Sequence, residues 1–140
     1  MEGAMTTVLI VDSDQDSRLA LEAQLVASNQ FERVVSCASL LLAESFIPQY
    51  EVKVMLIDAE LASQSRLLHQ IKANFPELGV VLLQGKTGVI DSATLLELGA
   101  HAQTSRLAAP IEIIASVAKA LVCRLKPGTR ILGKFLKDSK

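Results

Sequence analysis

The chain has 140 residues, half of them apolar, and its 14 basic and 15 acidic side chains leave a formal net charge of −1. That length fits a single domain with ample material for a core, and the near-cancelled charge removes any global field that would argue for nucleic acid or an anionic membrane. No run approaches the roughly 18 consecutive apolar residues of a membrane span, and no basic-plus-apolar leader opens the chain, so a cytoplasmic protein is expected. Cys37 and Cys123 are far apart, without CxxC or metal-ligand spacing, as in an ordinary reduced protein.

Residues 1–5 (MEGAM) carry no structural pattern and are set aside as a disordered or artificial start. From there, five short apolar or β-branched runs alternate with segments of helical periodicity: 6–11, 32–37, 52–57, 79–83 and 101–105. Such alternation predicts a parallel sheet covered by helices on both faces. The first helix follows at QDSRLALEAQLVAS, with Leu21 and Leu25 four apart on one face beside Ala20. Ser39 can cap a second helix that carries Leu41, Leu42 and Phe46 and is expected to end before Pro48. A third holds Leu67, Leu68 and Ile71 and stops before Pro76, and a fourth, over 89–98, holds Leu95 and Leu98. Gly99 suits a left-handed cap, which makes HAQTS a strand by its position in the alternation although its composition is weak. The last helix, from about 110 to 125, is the longest and least polar. After it, Arg124, Lys126, Arg130, Lys134, Lys137 and Lys140 face only Asp138, so 6–125 reads as the domain and 126–140 as a basic extension or linker. With Phe135 as its lone aromatic, that tail is no nucleic-acid recognition motif.

In an open parallel α/β sheet, ligands gather at the carboxyl ends of the strands, near the switch point in strand order. The first strand ends in VDSDQDSR, the third in Asp58, the fourth in LLQGK and the fifth in TSRLAAP. Asp12, Asp14 and Asp58 can therefore approach one another with Arg106 nearby. Clustered carboxylates raise each other's pKa unless a cation sits between them, and a hard ion such as magnesium takes one or two carboxylates plus waters. Asp12 and Asp14 equally suit turn and helix-capping roles. His69 and His101 lack a third ligand at metal spacing. DSDQD stands where a dinucleotide-binding fold needs its glycine-rich turn, and no nucleophile–base or acid–base pair for an enzyme on a free substrate can be pointed to.

Across 6–125 the order of elements and the stretches VLIVDSDQDSR, VMLIDAEL, VVLLQGK and ELGAHAQTSRLAAP resemble the receiver domain of two-component response regulators. The resemblance implies a doubly wound five-stranded parallel sheet of flavodoxin-like order 2-1-3-4-5, with Asp58 in the position that accepts phosphate from a histidine kinase. It also implies a magnesium ion held by Asp12, Asp58 and the backbone carbonyl of Glu60, and switch positions at Gln84 and Arg106. The departures fall on that same chemistry. Where the family usually has a second acid after the first strand stands Ser13; Asp14 is at best a weak substitute. The family's Ser or Thr after the fourth strand is Gln84, its lysine after the fifth is Arg106, and its Met-Pro after the acceptor is Leu61 and Ala62. Phosphoryl transfer depends on positioning and on metal and cationic stabilisation of charge, so weak magnesium binding is expected. The expected function is an atypical receiver acting as a protein-interaction module in signalling, related to or part of a longer regulator, with an impaired or absent phosphorylation switch. The alternative is a phosphorylatable receiver taking phosphate on Asp58. In either case no enzyme beyond self-catalysed transfer to Asp58 is expected. For partners, the last helix offers more apolar surface than one core contact needs: Ile111, Ala115, Ala118 and Val122 are expected to form a homodimer or partner face.

Overall fold

The structure, a computed structural model, describes residues 6–64, 66–85 and 92–124. The expected start at 1–5 and extension at 126–140 lie outside these residues, as does the first part of the fourth helix. Five strands, β1 (Thr7–Val11), β2 (Arg33–Cys37), β3 (Val54–Asp58), β4 (Gly79–Gln84) and β5 (Ala102–Ser105), form one all-parallel sheet in the order β2-β1-β3-β4-β5. The three central strands are buried at every position, which is why their sequences read as continuous Val/Ile/Leu runs instead of alternating ones. At the edge, β5 does alternate, with Ala102 and Thr104 turned inward.

Successive strand residues point to opposite faces, and two cores result. Leu9, Val11, Met55, Ile57, Val80 and Leu82 pack on one side with helices α2 (Leu40–Gln49) and α4 (Leu67–Asn74), joined by Ala62 of α3 (Ala59–Gln64) and partly buried Leu95 of α5 (Ser92–Glu97). Val8, Ile10, Val54, Leu56, Val81 and Leu83 pack on the other with α1 (Gln15–Ala27) and α6 (Pro110–Arg124). Leu21 and Leu25 are the buried residues of α1, as their spacing predicts. On the second side the backbone of β4 runs against α6: a Cβ built on Gly79 would stand 3.1 Å from the Ala120 carbonyl oxygen and 3.2 Å from Val54 Cγ2. Gly99 has φ +76 and closes the turn into β5 in the left-handed conformation expected of it.

Two helices differ from expectation. α2 does not end before Pro48 but runs through it to Gln49. In a last turn the ring forfeits one intrahelical bond, and the end is still closed by Tyr50 N–H to Phe46 O and Val52 N–H to Ile47 O. Within α2 the core-facing residues are Leu40, Ala43 and Ile47, whereas Leu41 and Leu42 are exposed. The segment after Asp58, to which the sequence assigns no element, is the short helix α3.

Candidate functional site

The strand order makes the site. Val11 of β1 pairs with Ile57 of β3, so the next residues, Asp12 and Asp58, emerge side by side at the carboxyl edge. Both are buried, at 2% and 8% exposure. Asp12 is held from three directions: its N–H donates to Cys37 O (3.2 Å), its carbonyl accepts Arg18 Nη1 (2.8 Å), and its Oδ1 accepts the Asp14 N–H (3.0 Å). Asp58 Oδ2 accepts the Leu61 N–H (3.2 Å), in the manner of an N-cap on α3.

The remaining oxygen of each carboxylate belongs to Arg106. Its Nη2 donates to Asp58 Oδ1, and its Nη1 lies 3.3 Å from Asp12 Oδ2. Arg106 follows β5, where its own N–H bonds Gln84 O, and its side chain must cross β4 to reach β3 and β1. With strands roughly 4.8 Å apart, that reach needs a long side chain, and bridging two separate carboxylates needs the guanidinium fork. Its Nε, buried, is left without an acceptor. Burial pushes the Asp12 carboxyl above its ordinary value, against the opposing pull of the Asp14 N–H and the Arg106 charge.

Asp14 does not join this pair in a metal-holding set. It is exposed and is the N-cap of α1, accepting from Asp16 N–H (3.2 Å) and Ser17 Oγ (3.0 Å); the Ser17 hydroxyl is the main cause holding its carboxyl below the ordinary value. Of the two readings open for Asp14, the cap is the one formed. Ser13 is exposed beside it. Glu60 lies within α3, and its carbonyl accepts Ser63 Oγ (3.1 Å). Gln84 Nε2 donates to Gln103 Oε1. Gln103 and Arg18 are site neighbours that sequence reasoning did not single out. Gln84 pairs with Ser105, so Gln103, two residues earlier, is on the same face of the ladder; that parity was the available signal.

Among the described residues no group of three or more His, Cys, Asp or Glu side chains gathers as a metal site. All four carboxylate oxygens of Asp12 and Asp58 already have partners, and the guanidinium stands between them where a cation would. A magnesium ion, which asks for near-octahedral oxygen ligands, does not fit this donor set as arranged.

His101 is structural: its Nδ1 accepts the Val80 N–H at 3.0 Å while its backbone N–H donates to Val80 O. Cys37 and Cys123 are free thiols. No helix among the described residues is long and apolar enough to cross a membrane.

The sheet order and the helices on both faces are those of the response regulator receiver fold, and solved structures bear this out. A response regulator receiver domain protein from Clostridium thermocellum superposes with a TM-score of 0.70 at 14% identity, over 86% of this chain and 97% of that one. A response regulator from Desulfuromonas acetoxidans gives 0.69 at 18% identity, over 84% and 98%. The isolated REC domain of RcsB from Salmonella enterica serovar Typhimurium, in the presence of the phosphomimetic BeF3−, gives 0.66 at 15% identity, over 86% and 98%. At these identities the likeness is one of fold. No protein-family model and no curated protein matches the sequence.

Proposed function

We propose that this chain is an atypical receiver domain: a signalling module that works by protein contact, with Asp58 held out of the phosphorylation switch by Arg106. The observation that carries this reading is the closed circuit at the strand ends, in which one guanidinium bridges Asp12 and Asp58 and backbone N–H groups take the other two oxygens. Attack by Asp58 on a phosphodonor requires a free carboxylate oxygen and a cation able to neutralise the arriving phosphoryl oxygens. Releasing Asp58 Oδ1 breaks its bond to Arg106. Magnesium is expected to bind weakly, with Ser13 contributing no carboxylate. Phosphate transfer from a histidine kinase to Asp58 is the competing reading. Protein partners fit the exposed apolar face of α6, where Ile111 is 74% and Val122 52% exposed and Ala115 and Ala118 are exposed between them.

Incubation with acetyl phosphate and magnesium, followed by intact-mass measurement, tests the reading. Little or no added phosphoryl mass is expected from the wild type. Rapid and nearly complete addition of one phosphoryl group, absent in Asp58→Ala, establishes the competing one.

A further inference from the structure

The edge of the sheet away from Asp58, where the strands begin, carries a groove of about 440 Å³ between the ends of α2 and α4. That is the size of sites that take a small ligand or a few side chains. Its floor is apolar: Ile47, Val52 and Leu78 of the core lie there with half-buried Phe75 beside them. Two exposed carboxylates, Glu51 and Glu77, stand at its rim, and neither has an ion-pair partner among the described residues. Lys53 is the cation among the lining residues, so acid outnumbers base.

We propose that this groove is the docking site of the chain's own C-terminal segment, residues 130–137, whatever the state of Asp58. Position, reach and chemistry agree on that occupant. α6 runs back from the carboxyl edge of the sheet to this one: the Ala120 carbonyl stands against Gly79, whose N–H donates to Lys53 O and whose neighbour Leu78 lines the groove. Arg124, where α6 ends, is one turn further on, about 6 Å along the axis. The six residues from 125 to 130 span at most about 20 Å when extended, and the groove opens at the sheet edge itself, one packing layer of about 10 Å from the helix. The sequence then supplies what the groove lacks. Ile131, Leu132, Phe135 and Leu136 are spaced to share one side of a helical turn, with Arg130, Lys134 and Lys137 next to them. Apolar side chains that reach the floor at Phe75 and Leu78 thus bring basic ones to Glu51 and Glu77, an apolar segment in an apolar groove with its charges at the rim.

The test uses the full chain with Cys123→Ser and Ser139→Cys, a nitroxide on residue 139, and buried Cys37 left unmodified. Each variant is checked for folding by circular dichroism, and amide NMR intensities are compared with the nitroxide oxidised and reduced. Amides of residues 47–53 and 74–78 should lose most of their intensity, while the turn at 28–32, on the same edge, keeps most of its own. Phe135→Ser should bring the groove amides back to the level of that turn. Glu51→Lys with Glu77→Lys should lower the docking equilibrium constant by up to about fivefold for each ion pair lost, and adding Arg130→Glu and Lys134→Glu to that chain should restore it. Broadening that is spread evenly over this edge, that falls elsewhere, or that neither Phe135→Ser nor the charge reversal changes overturns the proposal. So does equal broadening of the groove in a mixture of spin-labelled chain with isotope-labelled chain lacking the nitroxide, since the segment of a second copy then fills it. None of these results alters the acetyl phosphate measurement, so failure here and failure of the clamp are separately visible.

Discussion

At the scale of single residues, Arg106 is the cation that stands between two buried carboxylates, Asp12 and Asp58. Replacing it with alanine leaves two buried carboxylates side by side. Removing one partner of a fully buried pair costs about 3–5 kcal/mol, and with Arg106 one-fifth exposed a loss of about 2–3 kcal/mol is expected. The same variant should acquire a response to magnesium that the wild type lacks. Thermal melts of both proteins with and without millimolar magnesium check this: an upward shift confined to Arg106→Ala, and enlarged by adding Ser13→Asp, is the expected result. Equal shifts in the two proteins would refute it. Asp14 supports a second prediction. Its carboxyl is held below the ordinary value chiefly by the Ser17 hydroxyl, so the stabilisation it brings is present above the ordinary carboxylate pKa and lost as pH falls through its lowered one. The stability difference between wild type and Ser17→Ala, followed by urea unfolding, should therefore be full near neutral pH and shrink as pH falls through the lowered carboxyl value. Asp12, raised by burial, has the opposite sign: its contribution becomes more favourable as pH falls from its raised value to the ordinary one. The proximity of Asp12, Asp58 and Arg106 was legible once the strand order was assumed, because all three end strands. The Gln84–Gln103 bond was not, since neither residue carries a sequence signal beyond parity along a strand.

At the scale of elements, helix periodicity succeeds where apolar residues are spaced and fails where they are consecutive. Leu40, Leu41 and Leu42 cannot be ranked by composition; only the structure says that the first is buried and the next is 68% exposed. Leu40→Ala should destabilise the chain by about 2–4 kcal/mol, whereas Leu41→Ala should stay within about 0.5 kcal/mol of wild type; equal losses in urea unfolding would contradict the assigned register. α3 escaped notice because AELASQ is short and has no repeating apolar face, so its start is set instead by Asp58 capping it. Gly79 shows how closely α6 sits on β4. The nearest atom to an added Cβ is a backbone oxygen, which cannot rotate aside, so Gly79→Ala should cost about 1–2 kcal/mol by overpacking, and Gly79→Val more.

At the scale of the whole molecule, the fold was legible to a greater degree than the site. Five strand runs in alternation with helical segments define the architecture, and the largely apolar, non-alternating runs are those of the buried central strands β1, β3 and β4; even the weak HAQTS segment falls into place as β5 by its position after Gly99. Local chemistry depends on where a few long side chains turn, and Arg106 could have pointed to solvent without disturbing any of that pattern. Its actual position bears on timing. An acyl phosphate carries its own clock, because the signal ends when the bond hydrolyses whether or not the stimulus persists. A domain whose central cation is part of its own chain has no such decay built in. On the proposed reading its state at any moment is set by the concentration of whatever binds it, with no memory of earlier input.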